Sequence, residues 1–255
     1  MSTDEHDESW AAWQDTPWGR LRYRVMSENL TTCLGGPGNP PLRVLDVGGA
    51  DGADSVPLAA AGHAVTVLDR SPSLLSRARD RAASLGVTVV TVEGDLDDLP
   101  RLGLEPFDAV LCHNVLQYHP EPETAVAVIS AQVGPSGLVS VMCPNPSGDV
   151  LDAAIRMEDP ALAQALIGAG TKESVTFATA MNRLESSDVR ELLASNGFDA
   201  VTQYGVLAVT TYIANNDRKY EPEFYGALER LELMLRDVEP YVRTARFWHL
   251  VGRRS

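Results

Sequence analysis

Lysine is nearly missing from this chain. Only Lys172 and Lys219 occur among 255 residues, and 21 basic side chains face 35 acidic ones, for a net charge of −14. Proteins that grip a polyphosphate backbone usually present a basic face. The balance weighs against nucleic acid and against an anionic membrane surface, although a local basic patch is still allowed. Cysteine is scarce as well: Cys33, Cys112 and Cys143 are odd in number and scattered, which excludes a disulfide framework and reads as a reduced, cytoplasmic chain. Cys112 and Cys143 end neighbouring predicted strands, where cysteine acts as a small buried hydrophobe. No apolar run is long enough to cross a bilayer, and the opening MSTDEHDESW is acidic without the apolar stretch of a leader. Internal repeats and low-complexity tracts are also lacking.

What is present is an alternating rhythm. Residues 8–34 read as a helix with aromatic anchors (Trp10, Trp13, Trp18, Tyr23), and Gly35–Pro41 breaks it. Strands are expected at 42–47, 64–69, 87–92, 107–112 and 137–143, with helices at 53–61, 72–85 and 122–133 between them. Such alternation predicts a doubly wound α/β fold, a mostly parallel sheet with right-handed crossovers. After Pro144 the rhythm changes. An Ala/Leu-rich helix is expected at 149–169 with no strand after it, then a helix at 186–196, a strand at 200–209, a helix at 221–237 and a final strand at 246–251. The total is seven strands in a single domain, 1–255, with a helical cap and linker at 1–41.

The densest signal is Leu42–Gly52, LRVLDVGGADG, followed by VTVLD ending at Asp69. An apolar strand runs into a Gly-Gly turn, where missing side chains let the backbone bend and a ligand approach. Asp51 or Asp54 can cap the next helix. Asp69 lies about twenty residues beyond the glycines, the separation at which an acid meets ribose hydroxyls in such folds. The turn is not GxGxxG, and an acid at Asp51 would repel a pyrophosphate. It therefore suits a nucleoside cofactor that carries an amine and a carboxylate instead of phosphate.

With this turn, Asp69 and the downstream GDLDDLP, the chain resembles the class I S-adenosylmethionine-dependent methyltransferases. LCHNVLQYHPEPETAV, GPSGLVSVMCPNPSG, the C-terminal YGALERLELMLRDVEPYVRTARFWHLVGRR and GRLRYRV near the start resemble, more narrowly, the tRNA 5-carboxymethoxyuridine carboxyl methyltransferases. The resemblance implies S-adenosyl-L-methionine as cofactor, S-adenosyl-L-homocysteine as product and a substrate-side insertion at 145–185. It sets Gly48 and Gly49 against the methionine part, Asp46 toward its ammonium, Asp69 with the flanking Arg70 at the ribose, and Asp95 and Leu96 at the adenine. His113 would face the sulfonium, and Arg22 on the N-terminal helix would clamp the methionine carboxylate, with Arg20 and Arg24 as alternatives.

The acceptor is less marked. Methyl transfer from a sulfonium is an in-line displacement whose catalysis can come from alignment. A carboxylate acceptor needs orienting partners, for which Tyr212, Tyr241, Arg243 and Arg246 are candidates. A hydroxyl or amine would want a base, and His113, His119 or Tyr118 could serve. Those histidines are six apart, a poor spacing for a metal pair, so no metal is expected. The scarcity of lysine in 145–185 and before the last helix favours a small-molecule acceptor (carboxyl, hydroxyl or amino) over tRNA. Oligomeric state has no signal in the sequence.

Overall fold

The computed structural model describes residues 12–35, 40–173 and 179–254. Trp10, residues 36–39 of the expected breaker and residues 174–178 of the expected insertion lie outside the described residues. Nine strands are found among the described residues: β1 (Arg43–Val47), β2 (Ala64–Asp69), β3 (Val90–Glu93), β4 (Phe107–His113), β5 (Val133–Pro144), β6 (Thr171–Glu173), β7 (Ala180–Asn182), β8 (Phe198–Val206) and β9 (Phe247–Arg254). Seven hydrogen bond in the order β3-β2-β1-β4-β5-β9-β8, and β6 pairs with β7 alone. The pairings β1–β2, β1–β4, β2–β3 and β4–β5 are all parallel. This is the doubly wound, Rossmann-like seven-stranded arrangement that the alternation predicts.

The described residues belong to two compact units: one comprises Met1–Glu28, Pro144–Ser186 and Gln203–His249, the other Asn29–Cys143, Ser187–Thr202 and Leu250–Ser255. In the second unit β1 and β4 are apolar almost without interruption, as strands covered on both faces must be. Val44, Leu45, Ala109, Val110 and Leu111 are all fully buried. The first helices here are α2 (Val56–Ala60), α3 (Pro72–Ser84) and α4 (Pro122–Ala131), following the N-terminal helix α1 (Pro17–Leu34). Helix α3 starts where Ser71 accepts from the Leu74 amide at 3.3 Å and Pro72 supplies a preset φ. It buries Leu75, Ala78 and Ala82, a stripe of helical period.

The structure differs from the sequence reading in several elements. Helix α2 is one short turn, and neither Asp51 nor Asp54 caps it: Asp51 pairs with Arg81 at 2.5 Å and Asp54 bonds His113 at 2.9 Å. The fifth strand begins at Val133 rather than 137, because the Gly-Pro-Ser-Gly segment stays in the ladder through a register shift opposite Phe107/Ala109. The expected helix at 149–169 is broken into α5 (Pro146–Leu151), a π-helical turn at Asp152–Arg156 and α6 (Pro160–Leu166). Pro160 cannot donate an amide inside a helix, so it opens a new one, capped by Asp159. The β6–β7 hairpin then follows where no strand is expected.

In the first unit a buried carboxylate organises the chain after β8. Glu232, on α8 (Pro222–Leu235; α7 is Ser186–Ser195), accepts from the amides of Ala208 (2.6 Å), Val209 (3.0 Å) and Thr210 (2.7 Å) and from the Thr210 hydroxyl (2.6 Å). Trp248 is fully buried, and its indole donates to the Leu184 carbonyl at 2.8 Å. Among the described residues no helix is long and apolar enough to cross a membrane.

Leu111 sits at the centre of the sheet between β1 and β5. Leu111→Ala is expected to cost about 2–5 kcal/mol of unfolding free energy, through lost transfer energy and a residual cavity, read by urea denaturation.

Candidate active site

The turn after β1 is built from backbone that few side chains tolerate. Gly48, Ala50 and Gly52 all have positive φ, at 64°, 47° and 70°. A Cβ on Gly48 would meet Val115 Cγ2 at 2.4 Å, and one on Gly49 would meet Asp46 Oδ2 at 2.5 Å and Val67 Cγ1 at 2.8 Å. The two glycines are thus required by geometry, before any ligand is considered. Gly49 donates to the Leu68 carbonyl of β2 at 3.1 Å, and the Gly52 amide returns to Gly49 at 2.8 Å.

Asp69, at the tip of β2, ties this turn to the next. Its Oδ2 accepts from the Ala50 amide and its Oδ1 from the Ser71 amide, both at 2.9 Å. Burial pushes its pKa up, against the lowering pull of those two amides and of Arg70, while Asp95 adds to the rise. A carboxylate oxygen has two lone pairs, so each oxygen keeps acceptor capacity beyond the bond it makes. Two adjacent acceptors on one braced carboxylate match a vicinal diol. Asp95 is exposed and caps the turn Leu96–Arg101: Leu96 donates to Asp95 Oδ1 at 2.7 Å, and Asp98 Oδ2 receives the Asp95 amide at 2.9 Å, a capping box. The next acid of the run, Asp97, pairs with His119 at 3.1 Å.

His113 ends β4. Its Nδ1 lies 2.9 Å from Asp54 Oδ2 and its Nε2 2.9 Å from Ser140 Oγ. Asp, His and Ser in that order are the residue types of a nucleophilic triad, yet Ser140 is fully buried on β5 and presents no nucleophile to solvent. The set ties β4, β5 and the start of α2 together. His119 is likewise held at both nitrogens, by Asp97 and by the Glu121 carbonyl at 2.8 Å, and Tyr118 beside it is half-buried.

The remaining candidates fall in the first unit. Arg22 is buried on α1, its guanidinium 4.4 Å over the Tyr23 ring. Arg20 bonds the Asp15 carbonyl, and Arg24 pairs with Glu28 and Glu229. Arg243 is exposed and pairs with Glu239 at 2.9 Å, and Tyr241 is also exposed. Tyr212 donates to the Thr244 carbonyl, and burial pushes its pKa up to about 12, so it acts as a neutral donor. Arg246 is different in kind: it reaches the buried Asp149 at 2.9 Å and lies 3.8 Å from Asp152. Asp149, Asp152, Lys172 and Arg183 around it carry no sequence motif. The one available signal was that Lys172 is one of only two lysines in the chain. Among the described residues, no group of three His, Cys, Asp or Glu could hold a metal.

Comparison with known proteins finds a methyltransferase family model and methyltransferase relatives. A family model described as a methyltransferase domain matches residues 44–137. The tRNA 5-carboxymethoxyuridine methyltransferase of Escherichia coli (strain K12) is 26% identical over 241 residues, covering 94% of this chain and 90% of that one. An uncharacterised protein of Mycobacterium bovis is 30% identical over 222 residues, covering 82% and 75%. The magnesium protoporphyrin IX methyltransferase of Synechocystis, solved with bound S-adenosylhomocysteine, shares the fold at a TM-score of 0.64 and 16% identity, covering 99% of this chain and 95% of that one.

Because a methyl group at Gly49 would press on both Asp46 and Val67, Gly49→Ala is expected to cost about 1–3 kcal/mol in stability and to weaken S-adenosylmethionine binding at least tenfold, read by denaturation and calorimetry. The glycine turn, the sheet order and the relatives converge on one conclusion: the chain belongs to the class I S-adenosylmethionine-dependent methyltransferases.

Proposed function

We propose that the enzyme methylates a small-molecule acceptor by in-line displacement. Within the second unit the residues present suit the cofactor. Asp69 would take the two ribose hydroxyls on its free lone pairs, Gly48 and Gly49 leave room for the methionine part beside Asp46, and Asp95 and Leu96 would meet the adenine. When bound, the cofactor supplies an electrophilic methyl: the acceptor's lone pair forms the new bond to carbon as the carbon–sulfur bond breaks, and that electron pair leaves with sulfur. The chain's share is alignment and exclusion of water.

The observation that carries the choice of acceptor is the state of the candidate bases. Both ring nitrogens of His113 and of His119 are already engaged by protein partners. This favours an acceptor that needs no general base, such as a carboxylate that is already anionic. The chain's charge of −14 supports a small acceptor over tRNA, and three scattered cysteines, an odd number, support a reducing, cytoplasmic setting.

Two measurements test the reading. Methyl transfer from labelled S-adenosylmethionine is expected with a panel of small carboxylic acids and not with bulk tRNA; methylated tRNA alone would reject the small-molecule acceptor. Cofactor affinity should also depend on pH through Asp69. Only the carboxylate accepts two hydroxyls, and burial raises its pKa, so affinity should fall as pH drops, beginning above the range of an ordinary aspartate. Asp69→Asn is expected to bind roughly tenfold or more weakly and to lose that pH dependence, by calorimetry across a descending pH series.

A further inference from the structure

The first unit contains an accumulation of buried and half-buried cations that the rest of the chain, short of basic residues, makes conspicuous. Asp149, at the end of β5 on α5, holds Lys172 Nζ at 2.6 Å and Arg246 Nη1 at 2.9 Å on the same oxygen, Oδ1, while Arg183 Nε lies 3.8 Å from Oδ2. Asp152 receives Arg156 on both oxygens, at 2.5 and 2.9 Å, with Arg246 3.8 Å away. Lys219 is buried 5.5 Å over the Trp18 ring and feels the charges of Arg156 and Asp152. Both lysines of the protein are therefore in this one cluster. The third carboxylate in range, Glu232, faces Tyr212 electrostatically but already accepts four hydrogen bonds from residues 208–210.

Among the described residues, five cations (Arg156, Lys172, Arg183, Lys219 and Arg246) face three carboxylates (Asp149, Asp152 and Glu232), a local surplus of two positive charges in a chain of net charge −14. A surplus of buried charge is costly for a fold, since each uncompensated ion loses its hydration. Burial does lower the pKa of both lysines, Lys172 against the pull of Asp149. Structural need accounts for Arg183, whose Nη1 and Nη2 are spent on the carbonyls of Leu166, Ala169 and Pro146. It does not account for Lys172 and Arg246. They crowd onto one carboxylate oxygen, their side chains remain 20% and 31% exposed, and an ammonium has three donors and a guanidinium five.

We propose that Lys172 and Arg246 form an oxyanion-binding site for an acidic small molecule carrying a carboxylate or phosphate. The ligand's oxyanion supplies the missing negative charge, and Asp149 holds the two cations at one spacing and competes with the ligand for them. Two half-buried donors on a shared carboxylate fit a single compact anion rather than the extended backbone of a nucleic acid, which calls for a broad exposed basic face. This inference extends the small-molecule reading above by naming a ligand class for the first unit.

The test is calorimetric titration of the full chain, in low-chloride buffer, with sodium benzoate and with sodium phosphate. Saturable one-to-one binding of either probe is expected, and which of the two binds tells carboxylate from phosphate. Lys172→Gln and Arg246→Gln should each weaken that probe roughly tenfold or more, as loss of a charged hydrogen bond does. Asp149→Asn should tighten it by about threefold or more, because it removes the competing charge. Arg79→Gln, an exposed change on α3, should leave it unaltered. The proposal is overturned if neither probe binds above a chloride control. It is equally overturned if folded Asp149→Asn binds no tighter than the parent, or if bulk tRNA binds in a salt-sensitive manner that Lys172→Gln abolishes. Should Lys172→Gln fail to fold, Lys172→Arg is expected to fold and retain binding, and the Asp149→Asn result decides regardless. A parallel S-adenosylmethionine titration separates the two readings: cofactor binding without anion binding rejects this site alone, whereas no cofactor binding rejects the proposed function.

Discussion

The Asp69 carboxylate is the interaction on which the cofactor edge depends. One oxygen holds the amide of Ala50 in the glycine turn after β1, and the other holds the amide of Ser71 at the start of α3. Two loops from successive βα units are thereby fixed to a single side chain at the carboxyl edge of the sheet. That is where ligands bind in open α/β folds, because the helices that follow the strands leave a crevice there. The same bonds keep a buried charge tolerable. Burial, with Asp95 nearby, drives the Asp69 pKa up, and the two amides and Arg70 oppose that rise, which favours the ionised form that accepts donors.

Charge is distributed unevenly through this molecule, and the unevenness has chemical meaning. The chain as a whole is strongly acidic, while the Asp149 and Asp152 cluster of the first unit gathers both lysines and three arginines. On the proposed function, an acidic chain with a local cation surplus would discourage polyanions and admit a small anion. The engaged histidines argue in the same direction, since an anionic acceptor needs orientation more than it needs a base.

Much of the fold was legible because parallel strands buried on both faces must be apolar runs, and LRVLDV, AVTVLD and FDAVLC are such runs. The Gly48-Gly49 turn and Asp69 were legible for a related reason, as steric and hydrogen-bonding demands at a βα turn leave few residue choices. The segment after Pro144 was not. Its Ala/Leu-rich composition suits one helix, but Pro160 and the π turn at Asp152 divide it, and β6 and β7, at three residues each, are too short to leave an alternating pattern. The reading of Asp51 and Asp54 as helix caps failed through tertiary competition, since Arg81 and His113 offer those carboxylates stronger partners. The cation cluster was hidden because Asp149, Lys172, Arg183 and Arg246 are scattered over about a hundred residues, with no spacing that local physics imposes.

The measurement that bears most directly on the central claim is a crystal structure of the enzyme with S-adenosylhomocysteine. It should show the two ribose hydroxyls donating to the two oxygens of Asp69, at about 2.5–3.0 Å, with the Ala50 and Ser71 amides still in place. An adenosyl group seated elsewhere, or an Asp69 carboxylate turned away from the ribose, would contradict the account.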